Sequence, residues 1–364
     1  MRLKNCTLDM FAKELEERVI YCFGASLMPQ EICEEYEELH LEQKVKVFVD
    51  NDIQKINTKY FLAGKEIPII SIEEMLGKIS EKDMVLITSK YYVEILEQLN
   101  SFSQLEYIDC YIWPAIAPQY KSDSSLKEKI KNNITTTTIP KKIHYFWFGK
   151  GKIPELHQRC IDSWYRICPD YEIIRWDESN YDITKNQYME EAYQSKKWGF
   201  VPDYARLDII YEYGGIYLDT DVEVIRPFDE LLYLDGFAGF ESKNLVALGL
   251  GFGAKPKNQC LKKLLDDYKN QSFFNLDNSL NLTPSPILQT KVLKKMGLEL
   301  NNKFQVIEDL AILPAECLSP DNNMIPHITE NTFSIHHFAG SWTSEHQQRF
   351  LDNVRKFSKS IREI

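Results

Sequence analysis

Residues 200–224 read FVPDYARLDIIYEYGGIYLDTDVEV, and how this run folds decides what the larger part of the chain can be. Pro202 suits a first helical turn and Gly214 can turn left-handed just past a helix end, so a helix is predicted over residues 202–213. GIYLDTDVEVI then reads as a buried strand interrupted by acids. Asp219 and Asp221 stand at i and i+2 as the chain leaves the apolar run Ile216 to Leu218. Two carboxylates so placed can converge on one divalent cation, and hard oxygen ligands suit Mn²⁺ or Mg²⁺, which can bridge a diphosphate. Spacing alone does not single them out, because Asp50-Asn51-Asp52 repeats it. Context does, since acids directly after a buried strand are costly unless a cation or basic partner answers them, whereas Asp50 opens a polar turn. The plain alternative is that Asp219 and Asp221 are turn acids. Asp203 and Arg206, at i and i+3, share a helix face, an arrangement that is ordinarily a structural ion pair. Tyr204, Ala205, Leu207, Ile209 and Ile210 suggest a helix wrapped in protein, which puts the pair in or beside a cleft where sugar hydroxyls and phosphate oxygens could bind.

Upstream lie the strand-like IPKKIHYFWFG, a helix over Glu155 to Cys168 and a second strand in YEIIRW. Trp147, in HYFWFG, is a strand aromatic of the sort most often found in cores. Downstream come LVALGLGFGA, a helical CLKKLLDDYKN, the irregular LNLTPSPILQT and a final strand in TFSIHHF. Alternation after Ile335 sends one of His336 and His337 toward the core and the other away, and a ligand role cannot be read from the pair alone.

The first third alternates β-rich runs, Val19 to Phe23, Lys44 to Val49, Met84 to Thr88 and Tyr107 to Trp113, with the helical patterns MPQEICEEYEELHLEQ, SIEEMLGKIS and YYVEILEQLN. That is a βαβαβ order with a parallel sheet. A polar stretch without a sustained apolar face follows, so a linker is predicted over residues 119–138, between a domain at 1–118 and another at 139–364. The YCFGAS turn sits where dinucleotide folds place phosphates, yet of the glycine fingerprint only Gly24 is present, with Leu27 and Pro29 at the other places. Asp50 either accepts ribose hydroxyls or caps its own turn. With GAS, VFVDND and KEIPIISIEEM, this part resembles the Rossmann-like N-terminal domain of several bacterial polysaccharide-assembly proteins, including sugar O-acyltransferases. That likeness assigns it no reaction.

Composition narrows the partners. Forty-three Lys and Arg against 54 Asp and Glu give a formal net charge of −11, a field that repels nucleic acid. Aromatics at 12% suit carbohydrate and base recognition as well as ordinary cores. With no long apolar span and an N-terminus broken by charges, the expected location is cytoplasmic. The eight cysteines form no zinc spacing and are expected as reduced thiols, mostly in cores.

Together, IPKKIHYFWFG, CIDSWYRICPDYEIIRWDE, FVPDYARLDIIYEYGGIYLDTDVEV, GLGFGA, LTPSP and SIHHFAGSW resemble the family 32 glycosyltransferases of bacterial capsule and outer polysaccharide synthesis. More distantly they are similar to the glycosylating domains of large clostridial toxins. The likeness runs from about Ile139 to about Trp342, and its specific part is D-Y-A-R…Y-G-G-I-Y-L-D-T-D. It implies an α/β chain with a GT-A nucleotide-sugar-binding fold behind the smaller Rossmann-like parallel α/β domain. It implies a donor, a UDP-sugar before a GDP-sugar, and a glycan or lipid-linked oligosaccharide acceptor, with peripheral contact to the inner membrane or an assembly complex. Trp147 would stack on the base, Asp203 and Arg206 would hold the donor sugar and diphosphate, and Asp219 would contact ribose or sugar and help bind metal. Asp221 would ligate Mn²⁺ or Mg²⁺, His337 rather than His336 would sit near the metal, and Ser341 and Trp342 would hold the diphosphate. Members retain anomeric configuration. The rival readings are nucleotidyl transfer or sugar-nucleotide hydrolysis at the same site, and a non-catalytic binding or scaffolding subunit.

Overall fold

The computed structural model describes residues 1–4, 6, 8–116, 124–130, 136–242, 244–322 and 325–339. They fall into two compact units, the first formed mainly by residues up to 116 and the second mainly by those from 124 onward.

In the first unit the described strands are β1 (Arg2–Leu3), β2 (Ile20–Phe23), β3 (Val45–Val49), β4 (Lys59–Leu62), β5 (Lys65–Ile70), β6 (Met84–Ile87) and β7 (Asp109–Ile112). They form one sheet in the order β1-β7-β6-β2-β3-β5-β4, parallel throughout except for the β4–β5 hairpin. In β2, Tyr21 and Phe23 enter one apolar cluster while Ile20 and Cys22 enter the other, so both faces are covered and the strand reads as an unbroken apolar run. The connecting helices are α1 (Leu8–Glu17), α2 (Met28–Glu35), α3 (Leu41–Lys44), α4 (Ile72–Leu76), α5 (Tyr92–Asn100) and α6 (Trp113–Ile116). The helical pattern of residues 28–44 is broken because His40 takes a left-handed conformation, φ 45°, between α2 and α3. The β4–β5 hairpin went unread, since Ala63-Gly64 supplies the two positive-φ residues of its turn without an Asn-Gly or Asp-Gly signal. Asp50 caps its own turn, Oδ1 accepting the Asp52 N–H at 3.0 Å, while Oδ2 accepts the Ala25 N–H and the Lys55 ammonium, each at 3.0 Å.

The second unit is built on β8 (Lys142–Phe146), β9 (Glu172–Trp176), β10 (Gly215–Tyr217), β11 (Val222–Val224), β12 (Gly236–Ser242), β13 (Leu245–Ala247), β14 (Phe252–Ala254), β15 (Gln305–Ile307) and β16 (Leu310–Leu313). The main sheet runs β15-β16-β12-β14-β10-β8-β9, with β13 on β12. β9, β8 and β10 are parallel, and the antiparallel β14 joins β10 to β12. Its helices are α7 (Leu126–Ile130), α8 (Glu155–Ile167), α9 (Gln187–Gln194), α10 (Pro202–Tyr213), α11 (Gln259–Tyr268) and α12 (Ser285–Lys295). Both units have the expected α/β class, and this mixed sheet accords with a GT-A-like fold.

Three readings change here. Part of the stretch expected as linker forms α7, whose Leu126 and Ile130 are buried in the core with Trp164 and Phe228. Two apolar residues four apart suffice for a one-turn helix, too short to register as a face. GIYLDTDVEVI is two strands rather than one: β10 stays in the main sheet, while β11 pairs with the strand Ser334–His336. The irregular LNLTPSPILQT runs into α12, where prolines in the first turn open a helix instead of breaking it.

The Gly214-Gly215 pair brings the chain from α10 into β10. Both have positive φ, 66° and 102°, and a Cβ on Gly215 would stand 2.9 Å from His144 Nε2. His144 is buried and lies 3.1 Å from the Gly214 carbonyl through Nε2, while the Trp176 indole N–H donates to Nδ1 at 3.1 Å. Trp176 can only donate, so Nδ1 is the acceptor and the proton sits on Nε2. Burial, the largest cause, lowers the ring's pKa to about 4.

Candidate functional site

β8 lies between β9 and β10, so the chain leaves β8 to one side and returns on the other. The crevice beyond the C-terminal ends of β8 and β10 is a topological switch point, where α/β sheets bind ligands. Trp147 directly follows β8, and Asp219 follows β10 by two residues. A tight turn, closed by the Val222 N–H on the Asp219 carbonyl at 3.0 Å, joins β10 to β11 and brings both acids to the same place. α8 fixes the far side of that turn, since the Trp164 indole N–H donates to the Val222 carbonyl at 2.7 Å and Ser163 Oγ accepts the Val224 N–H at 2.9 Å.

Because Val222 pairs with His336, the last described strand delivers His336 Nε2 to 3.3 Å from Asp221 Oδ1. One ligand atom each from Asp219, Asp221 and His336 lies within 4.8 Å of the others. Asp221 Oδ2 also accepts the Ala339 N–H at 2.7 Å. His337 is placed differently from the expectation: its Nε2 lies 2.8 Å from Glu223 Oε2, and its N–H meets the Asp221 carbonyl rather than the carboxylate. Successive side chains on a strand point to opposite faces, so only one of the two histidines can join the cluster, and it is His336.

Beneath Asp219 lies a buried polar stack. The Tyr217 hydroxyl donates to Asp219 Oδ1 at 2.6 Å and Arg206 Nη1 reaches the same oxygen at 3.4 Å. Arg206, only 3% exposed, pairs through Nη2 with Asp203 and donates to Ser285 Oγ at 2.7 Å. Asp203 and Arg206 therefore hold Asp219 from behind, and burial keeps them from presenting an open surface of their own. Gly249 closes the stack: its carbonyl accepts the Asp219 N–H at 3.3 Å, and a Cβ there would lie 2.4 Å from Asp219 Oδ2. On the other side His157 Nδ1 lies 2.7 Å from Thr220 Oγ1, and the His157 ring meets the edge of Trp147 with centroids 5.6 Å apart. Trp147 is half-buried, its indole N–H donating to the Gly151 carbonyl at 2.7 Å. Ser341 and Trp342 lie outside the described residues.

Acid outweighs base in this corner. Burial raises the Asp203 carboxyl to about 6 despite Arg206. Asp219 is raised too, first by burial and then by Asp221, against the pull of Arg206. Burial pushes Asp221 up as well, but the His336 ring and the Ala339 N–H outweigh it and hold Asp221 well below the usual carboxylate range. Burial depresses His336, yet Asp221, with help from Asp219 and Glu241, lifts it to about 9. Glu241, at the C-terminal end of β12, is raised by burial. Asp203 and Asp219 thus share the Arg206 guanidinium while Asp221 leans on His336, and the balance calls for a further cation or for a proton on His336. The donor set of two carboxylates and an imidazole fits Mn²⁺ or Mg²⁺, with His336 Nδ1 buried and without a hydrogen-bond partner among the described residues.

Asp203, Arg206, Asp219 and Asp221, named from the sequence, are brought together, and Trp147 is linked to them through His157 and Thr220. Ser285, Tyr217, His157, Gly249 and Glu241 were missed. Tyr217 was within reach, because it shares a strand face with Asp219. The others join the cluster only through tertiary folding.

Residues 154–237 match the family model described as a glycosyltransferase sugar-binding region containing DXD motif. This stretch is similar to a glycosyltransferase DXD region. Over 125 residues the chain is 36% identical to inositol phosphoceramide mannosyltransferase 3 of Schizosaccharomyces pombe, covering 31% of this chain and 32% of that protein. Over 122 residues it is 33% identical to the human alpha-1,4-N-acetylglucosaminyltransferase, covering 32% of each. The chain thus spans about a third of the length of these curated relatives. Among solved structures it is similar to the PaToxG glycosyltransferase, with a TM-score of 0.36 and 18% identity over 57% of this chain and 78% of that one.

Proposed function

We propose that the second unit is a metal-dependent, retaining glycosyltransferase. It moves a sugar from a nucleotide-sugar donor, a UDP-sugar before a GDP-sugar, to a hydroxyl of a glycan or lipid-linked acceptor in surface polysaccharide synthesis. The observation that carries this reading is the Asp219, Asp221 and His336 cluster at the switch point, whose two aspartates lie inside the segment matching a glycosyltransferase DXD region while His336 joins them from a distant strand. The relatives' names specify mannose in one case and N-acetylglucosamine in the other, which supports sugar transfer in general.

When bound, Mn²⁺ or Mg²⁺ would supply Lewis-acid neutralisation of the departing diphosphate. Asp219, Asp221 and His336 would hold it. Tyr217 and Arg206 fix the Asp219 carboxylate, and Asp203 with Ser285 fixes Arg206, so the oxygen is set before the donor arrives. Trp147 offers its ring to the base. Ser341 and Trp342 would hold the diphosphate. The acceptor hydroxyl then attacks from the face that the diphosphate leaves. The first unit is an accessory domain in this reading.

A panel of UDP- and GDP-sugars with Mn²⁺, read as release of the nucleoside diphosphate without acceptor, tests it. Slow release from one donor, abolished in Asp221→Asn, is expected. No release from any donor, with no rise in melting temperature from Mn²⁺ plus donor, would favour a scaffolding subunit.

A further inference from the structure

α12 reaches the candidate site through Ser285 at its start. Ile287, Lys291, Lys294 and Lys295 fall at i, i+4, i+7 and i+8, and all four are exposed, so they form one outward stripe. With Leu245 and Leu300 they line an open, largely apolar depression. None of the three lysines has an ion-pair partner among the described residues. The neighbouring α11 segment behaves differently: Lys262 and Lys269 pair with Asp266, and Lys263 with Glu308. Like charges at i+3 and i+4 repel, so an unanswered lysine stripe is unfavourable in the isolated chain, and in a chain of net charge −11 it is a local reversal of the field that otherwise repels phosphates. Lys294 and Lys295 lie in the last turn of α12, where the helix dipole favours cations, but that accounts for neither Lys291 nor the uncovered Ile287. The loop leading into α12 also leaves Leu276 and Leu282 exposed.

We propose that this stripe docks the protein on a bilayer carrying acidic phospholipid. Lysines are depleted in the cores of protein interfaces, whereas an apolar floor ringed by lysines is the composition of a surface lying at the level of lipid headgroups. The ammonium groups meet lipid phosphates while their stems and Ile287 cover the apolar boundary. α12 is 11 residues long. At a rise of about 1.5 Å per residue it places the patch within about 16 Å of the Ser285 end, close enough to hold the site beside a membrane-borne substrate. The docking itself does not depend on the glycosyl-transfer reading, because no residue of the stripe belongs to the site.

Flotation of the full chain with phosphatidylcholine vesicles, with and without phosphatidylglycerol, tests this. Binding to the acidic vesicles alone is expected, and salt should weaken it. A chain with Lys291→Gln, Lys294→Gln and Lys295→Gln together should partition on the order of a hundredfold less, at roughly fivefold per lysine. Ile287→Asp should weaken binding as well. Metal-dependent donor hydrolysis in solution should be unchanged in both variants, which separates loss of docking from loss of the site. Wild-type chain that ignores acidic vesicles, equal binding to both vesicle types, or a triple variant that floats like the wild type would overturn the proposal.

Discussion

Replacing Gly249 by alanine tests the site more sharply than removing a ligand, because it adds one methyl group and deletes nothing. Gly249 has no positive φ, so alanine brings no backbone strain and the substitution acts through contact alone. The new Cβ would stand 2.4 Å from Asp219 Oδ2 and 3.2 Å from Arg206 Nη1, whereas carbon contacts below 3.0 Å essentially do not occur. The Asp219 oxygen must therefore retreat by at least 0.6 Å, the difference between 3.0 and 2.4 Å. Oδ1 of the same carboxylate is tied to Tyr217, so the group can only pivot. Metal sites hold their ligand distances to about 0.2 Å, so a displacement three times larger should weaken Mn²⁺ by 10- to 100-fold, comparable to losing a residue that orients a ligand. The Asp219 side chain is 31% exposed and can yield toward solvent, which keeps the stability loss near the lower end of the roughly 1–3 kcal/mol usual for overpacking. Titration calorimetry with Mn²⁺ alone, alongside thermal melting, reads both quantities. A folded Gly249→Ala chain that binds Mn²⁺ within twofold of the wild type would refute the placement of Asp219 as a ligand.

Asp221→Asn should keep the fold and lose the Mn²⁺-dependent rise in melting temperature; an unchanged rise sinks its ligand role. His336→Ala should lower Mn²⁺ affinity at least tenfold and His337→Ala much less, as calorimetry would show, and the reverse order would return His337 to the cluster. Trp147→Ala should weaken donor binding by about 1–3 kcal/mol if the ring stacks on the base, whereas a core role predicts lost stability with donor affinity intact. His144 gives a pH signature. Its folded pKa of about 4 lies below the ordinary 6.5, so between those values only the unfolded chain takes up the proton. This source therefore leaves stability unchanged above pH 6.5 and removes up to about 3 kcal/mol as the pH falls toward 4. His144→Gln can keep both hydrogen bonds without titrating, so its melting temperature should fall less over that range; parallel curves would contradict the assignment.

What the sequence discloses here follows from how far each feature depends on local chain. Pro202 and Gly214 bracket α10 to the residue, because helix ends are set by the conformational limits of proline and glycine themselves. The i, i+2 and i, i+3 spacings of the acids and Arg206 survive for the same reason, since a turn and a helix face are fixed within a few residues. Asp50 shows the limit of that logic: the same D-x-D spacing, in a turn where Lys55 and a backbone N–H already satisfy the carboxylate, has no unanswered charge to offer a cation. Which histidine joins the cluster hangs on register between β11 and a strand more than a hundred residues later, and a slip of one residue would exchange His336 for His337. Ser285 and Gly249 are harder still, since a serine after a proline and a glycine in an apolar loop carry no charge or period that marks them. Their meaning lies in what they adjoin: Arg206 donates a hydrogen bond to one, and the carboxylate of Asp219 occupies the space where the other lacks a side chain. The ligands of such a site can be read along the chain, but the residues that hold those ligands still are found only where distant segments meet.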